Sequence, residues 1–155
     1  GLNYTILRYG SLYGSRSDKK NGLYKFIFNA LKNNKLEFQG DPESQREFIN
    51  VEDAAECTAK ILNNGDTNKH ITITGHQSIT IQNLFKMISE ILSNKNIKIK
   101  YNSNAKNIHY AFTPYEFNPR YGKKIIPNQF IDLGQGLLKL IEDIDYDLRD
   151  LKNQK

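Results

Sequence analysis

The side chains best suited to chemistry in this sequence are cations and backbone amides able to hold a phosphate. Arg46 offers a planar guanidinium whose paired N–H donors match phosphate oxygens two at a time. It stands between a turn cluster, Gly40-Asp41-Pro42, and a short extended run, Glu47 to Val51. Asn21-Gly22-Leu23 opens a helical pattern. The first amides of a helix lack internal partners and favour an anion, and Gly22 leaves room for a phosphate to come close. Arg120, between Pro119 and Tyr121, has the same bidentate capacity, with Lys123 and Lys124 nearby as substitutes. The alternative use of Arg46 is a structural pair with Glu43 or Asp53. Tyr110, Phe112, Tyr115, Phe117 and Tyr121 can stack on a planar ligand or pack on their own domain. Asp53 reads as a helix cap, not a catalyst. His70, His76 and His109 lack metal-ligand spacing. Cys57, the single cysteine, forms no internal disulfide or Cys-rich zinc site and reads as a small buried thiol.

The elements that must position these residues alternate between strand and helix. Leu2 to Tyr9 has strand character and stops at Gly10 and Gly14. Leu23, Phe26, Ile27, Ala30 and Leu31 recur at helical spacing. A short strand over Leu36 to Phe38 follows, then the run Glu47 to Val51 and a helix whose start is marked by Glu52-Asp53. That helix carries Ala54, Ala55, Thr58, Ala59 and Leu62 and ends near Asn63-Asn64-Gly65. His70 to Thr74 is rich in β-branched residues and reads as a strand. Thr80 caps a helix striped with Leu84, Met87, Ile88, Ile91 and Leu92, and Ile97 to Tyr101 is a further strand. Residues 102–128, with Pro114, Pro119 and Pro127, read as loop. A last helix holds Leu137, Leu138, Leu140, Ile141 and Ile144, and residues 147–155 read as a frayed polar tail. The alternation predicts an α/β fold.

Composition narrows the classes. The 155 residues are 38% apolar, enough for one core, and no apolar run reaches the ~20 residues that span a bilayer. No secretory signal pattern opens the sequence. A reducing, cytoplasmic setting is the expectation. The formal charge of +5 raises nucleic-acid binding, but the lysines are scattered among Asn, Ile and acidic residues and form no dense basic patch. No nucleic-acid and no membrane partner is expected.

Three segments carry a resemblance. Leu7-Arg8-Tyr9-Gly10-Ser11-Leu12-Tyr13-Gly14 is similar to a strand and turn that usually read Arg-aromatic-aromatic-Asn-Val-Tyr-Gly-Pro. Gly40 with Gln45-Arg46-Glu47-Phe48-Ile49-Asn50-Val51-Glu52-Asp53-Ala54-Ala55 is similar to Gly-x-Gly-x-Gln-Arg-Asp-Phe-Ile-His-Val-Asp-Asp-Ala. Ile71-Thr72-Ile73-Thr74-Gly75 with Thr80-Ile81-Gln82-Asn83-Leu84 is similar to a Tyr-Asn-Ile-Gly segment and its following helix. In this order they resemble the extended short-chain dehydrogenase/reductases of the NAD-dependent epimerase/dehydratase family, which act on nucleotide sugars.

The resemblance implies the C-terminal portion of an extended Rossmann-type fold with a small substrate-binding subdomain, the cofactor-binding N-terminal half being absent. Residues 1–155 would form one substrate-binding portion, with 2–14 and about 48–75 packing against the missing half. It implies substrate contacts at Ser11, where the family usually has Asn, at Asn21, Gly22 and Leu23, at the backbone of Glu37 to Gln39 for the base, and at Arg46 and Arg120 for the diphosphate. Tyr9 and Gly10 match positions near the cofactor's nicotinamide, with Gly10 replacing an aromatic. In the full-length parent, NAD or NADP would oxidise a sugar hydroxyl to a ketone before epimerisation, dehydration or return reduction. No cofactor is expected on this chain alone. The sequence has no complete glycine-rich dinucleotide motif: Gly134-Gln135-Gly136 is followed by Lys139 where a third glycine would fall. It also has no Tyr-x-x-x-Lys, the family's catalytic pair. The chain is therefore expected to bind a nucleotide-diphosphate sugar without turnover, and to associate through exposed apolar surface, with the missing half or as a homo-oligomer. The alternatives are a non-catalytic nucleotide or glycan binding module and, behind it, a basic nucleic-acid domain.

Overall fold

The computed structural model describes residues 1–93, 96–102 and 122–153. The chain is α/β. Its elements are β1 (Thr5–Tyr9), β2 (Ser11–Tyr13), α1 (Gly22–Asn33), β3 (Lys35–Phe38), β4 (Gln45–Asn50), α2 (Val51–Asn63), β5 (Lys69–Ile73), β6 (Ser78–Thr80), α3 (Ile81–Ile91), β7 (Lys98–Tyr101), β8 (Lys123–Ile125) and α4 (Leu133–Asn153). They build a parallel sheet in the order β1-β5-β8, a mixed sheet in the order β2-β4-β6 and a parallel pair β3-β7.

Each helix begins where a side chain can satisfy its first free amides. Asn21 accepts from the Tyr24 amide at 3.1 Å, Asn50 from Glu52 at 2.9 Å and Thr80 from Asn83 at 3.1 Å. Asn50, not Asp53, caps α2. Asp53 lies in the first turn, and its Oδ2 accepts from the Ile131 amide at 3.0 Å, tying α2 to the segment before α4. Helix α1 ends at Asn34 with φ of 50°, a conformation asparagine tolerates better than most residues. Helix α4 continues through residues expected to fray, because its apolar stripe continues to Leu148, which packs on the core.

The first strand starts at Thr5, three residues later than its composition suggests. Its ladder begins at Thr5↔Lys69, and the preceding Asn68 adopts φ of 56°, so β5 offers Leu2 no partner. Ser11–Tyr13 forms a strand where a turn was expected. The chain crosses from one sheet to the other at Gly10, where a Cβ would lie 2.6 Å from Thr74 Oγ1 and 3.0 Å from the Glu47 carbonyl. A second close approach occurs at Gly75, whose Cβ would meet the Phe48 carbonyl oxygen at 1.9 Å. These two glycines let the sheets touch.

Two cores result. One gathers Ile27, Leu36, Leu84, Phe85, Ile88, Leu137 and Ile144 between α1, α3 and α4. The other places Ala54, Cys57 and Ile61 of α2 on Ile49, Ile71 and Ile73. Each fully buried aliphatic or aromatic side chain contributes about 1.5–3 kcal/mol relative to exposure. The larger first core therefore holds α1, α3 and α4 together, and the second fastens α2 to the parallel sheet.

Candidate functional site

The strands of the β2–β4 pair carry two of the residues expected to grip a phosphate, Ser11 and Arg46. Ser11 pairs with Phe48 and Leu12 with Ile49. Alternation along strands puts Arg46, Phe48 and Ser11 on one face of the ladder. Asn21 Nδ2 donates to the Leu12 carbonyl at 2.8 Å, so the start of α1 is bonded to the same β2 strand. Gly22 has nothing within 4 Å of where a Cβ would stand, whereas the Leu23 side chain is buried in the core, leaving only its backbone to face a ligand. Arg46 is half-buried, and its Nη1 donates to the Gln45 carbonyl at 2.6 Å.

The other expected positions have these surroundings. Glu37, on β3, forms an ion pair with Lys35 at 2.7 Å, and Gln39 is exposed beyond the strand end. The Tyr9 hydroxyl lies 2.7 Å from Thr58 Oγ1, beneath α2. Gly10 is buried, between Thr74 and the Glu47 carbonyl. Arg120, His109 and the aromatics Tyr110, Phe112, Tyr115, Phe117 and Tyr121 lie outside the described residues.

A buried polar cluster that the sequence did not single out joins the sheets. Glu47, 6% exposed, accepts from Thr74 Oγ1 at 2.7 Å and pairs with Lys124 Nζ at 2.8 Å. Lys124, considered from the sequence as a phosphate ligand, is committed to this carboxylate.

The main cavity, about 720 Å³, opens between β4, β6, α3 and the first turn of α4. Phe48, Ile79, Met87 and Leu138 give it apolar walls, and Tyr13, Asn50 and Asp53 bring polar groups. Neither Arg46 nor the start of α1 enters these walls. Burial pushes the Tyr13 hydroxyl up to about 12, the Asp53 and Asp132 charges adding to that and a hydrogen bond from Asn50 opposing it. Gly136 of α4 packs on this phenol; a Cβ there would stand 2.4 Å from its oxygen. His76 stacks on Phe130 with ring centroids 3.9 Å apart, and its Nε2 lies 2.6 Å from the Pro127 carbonyl. No cluster of three metal-ligating side chains exists among the described residues, and none of their helices is long and apolar enough to cross a membrane.

Comparison with known proteins now places the fold. Residues 1–74, just under half of the 155, match the model of the NAD dependent epimerase/dehydratase family. A Methanocaldococcus jannaschii protein, provisionally named UDP-glucose 4-epimerase, is 34% identical over 91 residues, 57% of this chain and 29% of the relative. UDP-glucuronic acid 4-epimerase from Bacillus cereus, crystallised with UDP-glucuronic acid and NAD, matches with a TM-score of 0.75 at 18% identity, over 92% of this chain and 45% of its own. dTDP-glucose 4,6-dehydratase from Bacillus anthracis, crystallised with NAD, matches at 0.72 and 19% identity, over 97% and 47%. At those identities the structures establish the fold, and the family match ties the first half of the chain to epimerases and dehydratases. The chain spans less than half the length of these solved structures, and its match to the M. jannaschii protein covers under a third of that relative.

Proposed function

We propose that the chain is the substrate-side portion of an NAD-dependent nucleotide-sugar epimerase or dehydratase, working with a cofactor-binding portion that supplies the glycine-rich turn and the Tyr-x-x-x-Lys pair. The observation that carries this reading is the family match over residues 1–74, which takes in both Arg46 and the ladder that fastens the start of α1. In it, Arg46 and the free amides of Gly22 and Leu23 neutralise the diphosphate, Ser11 and Arg120 assist, and the Glu37 to Gln39 backbone receives the base. Holding a flexible diphosphate at both ends orients the sugar, which lowers the entropic cost of a later reaction.

NAD, where bound, supplies hydride transfer. The sequence has no glycine-rich turn of the spacing that cradles its phosphates. The cofactor is therefore assigned to the companion portion. Support for a docking face comes from residues 2–14 and about 48–75. Leu2, Tyr4, Leu12, Val51 and Leu62 are exposed, and β1 has a free edge among the described strands. Tyr9, Leu12, Val51, Ala55 and Leu62 line a shallow apolar groove there. A strand edge beside an apolar groove suits continuation of a parallel sheet.

Calorimetry with UDP-, dTDP-, GDP- and CDP-sugars tests the reading. One of these should bind, and Arg46→Ala should weaken it by about tenfold or more, the worth of a charge-assisted pair of hydrogen bonds. Equal binding by the variant removes Arg46 from the site. Absence of binding by every nucleotide sugar, with the companion portion present, removes the function.

A further inference from the structure

We propose that the cavity between β4, β6 and α4 is a second ligand site, one that takes a small organic cation: an ammonium carried on an apolar body. The case starts from charge. The chain as a whole carries +5, yet the described walls of this cavity contain no lysine or arginine and include the carboxylates of Asp53 and Asp132. A phosphate would find no cationic side chain among the described residues there. The two acids differ in availability. Asp132 uses Oδ1 to accept from the amides of Gly134 and Gln135, so it serves as the cap of α4. Asp53 is 7% exposed and uses only Oδ2, toward Ile131. Its Oδ1 has no partner among the described residues. A carboxylate oxygen left unpaired at that depth is costly, and a donor bearing positive charge is its strongest complement.

The remainder of the cavity suits the rest of such a molecule. Its volume of about 720 Å³ is ample for a small molecule. Phe48, Ile79 and Met87 offer apolar contact, and Phe130, stacked with His76, offers a π face for a cation at the rim. The Tyr13 phenol and the Asn50 amide, which hydrogen-bond to each other, make the wall beside Asp53 polar without adding charge.

The test titrates the chain at pH 7 with three probes of one shape: phenethylammonium, phenethyl alcohol and 3-phenylpropionate, followed by calorimetry and by the side-chain amide resonances of Asn83 and Gln135. Phenethylammonium is expected to bind and shift both amides, the carboxylate to leave them unmoved, and the alcohol to bind at least about tenfold more weakly than the ammonium. Asp53→Asn should reduce ammonium binding to the alcohol's level. Leu138→Trp, at an exposed rim position that tolerates substitution, should block all probes without changing the unfolding temperature. Should Asp53→Asn fail to fold, the ammonium–carboxylate contrast and Leu138→Trp still decide. Equal binding of the three probes, no binding of the ammonium, or binding undiminished in Leu138→Trp overturns the proposal. The nucleotide-sugar reading rests on Arg46 and stands or falls separately.

Discussion

Replacing Lys124 by methionine should destabilise the chain far more than its place on a three-residue strand suggests. Glu47 is the reason. Its side chain is 8% exposed and holds two bonds, 2.8 Å to Lys124 Nζ and 2.7 Å to Thr74 Oγ1. With the ammonium gone, the carboxylate keeps one hydroxyl donor and little water, and an orphaned buried charge of this kind costs about 3–5 kcal/mol. The opposite change is milder. Glu47→Gln leaves Lys124, whose side chain is 28% exposed and can turn to solvent, so the loss should be about 1–2 kcal/mol. The double variant Glu47→Gln/Lys124→Met removes both charges and should recover part of the Lys124→Met loss. Urea unfolding of the four proteins, followed by circular dichroism and closed as a double-mutant cycle, reads these values. The reasoning is refuted if Lys124→Met costs under about 0.5 kcal/mol, or if the two single losses simply add.

Gly75→Ala should be among the most damaging small substitutions, because the new Cβ would stand 1.9 Å from the Phe48 carbonyl and neither backbone can give way cheaply. About 3 kcal/mol or more is expected in the same urea assay; Gly22→Ala, with open space around it, should be neutral or slightly stabilising. Alkali should unfold the chain through Tyr13. Its hydroxyl titrates near 10 when unfolded and about 12 when folded, so between those values the unfolded chain has released a proton that the folded chain retains. Stability is full below 10 and falls by about 2–3 kcal/mol in total as pH rises through 12. Tyr13→Phe should flatten that slope in pH-dependent unfolding, and an unchanged slope would show that the phenol is not responsible.

What the sequence disclosed and what it withheld divide along physical lines. The long helices were legible because a stripe such as Leu84, Ile88 and Ile91 repeats often enough to register, and Thr80 supplies a chemical start signal. The strands β6 and β8 were not, since three residues are too few to display a period and Lys123–Ile125 sits in a stretch rich in proline and charge. The same limit hid the chemistry. Arg46 announces itself by type, whereas Glu47 acquires its meaning only through Lys124, 77 positions away. Asp53 looked like a cap because acidic residues favour helix starts; Asn50 takes that task and frees Asp53 to hold Ile131 and face the cavity.

That exchange of roles bears on the whole chain. A net positive protein has every reason to attract anions to its surface, and the phosphate site proposed at Arg46 and the start of α1 follows that field. A cavity walled by two carboxylates runs against it, and such a reversal survives only where packing fixes the acids regardless of the field. Asp53 is fixed by α2 and by Ile131, and Asp132 by the first turn of α4. Because both anchors are backbone amides, neutralising surface lysines should leave the cavity's polarity intact while weakening any phosphate site, so salt and charge substitutions act on the two sites in opposite degree.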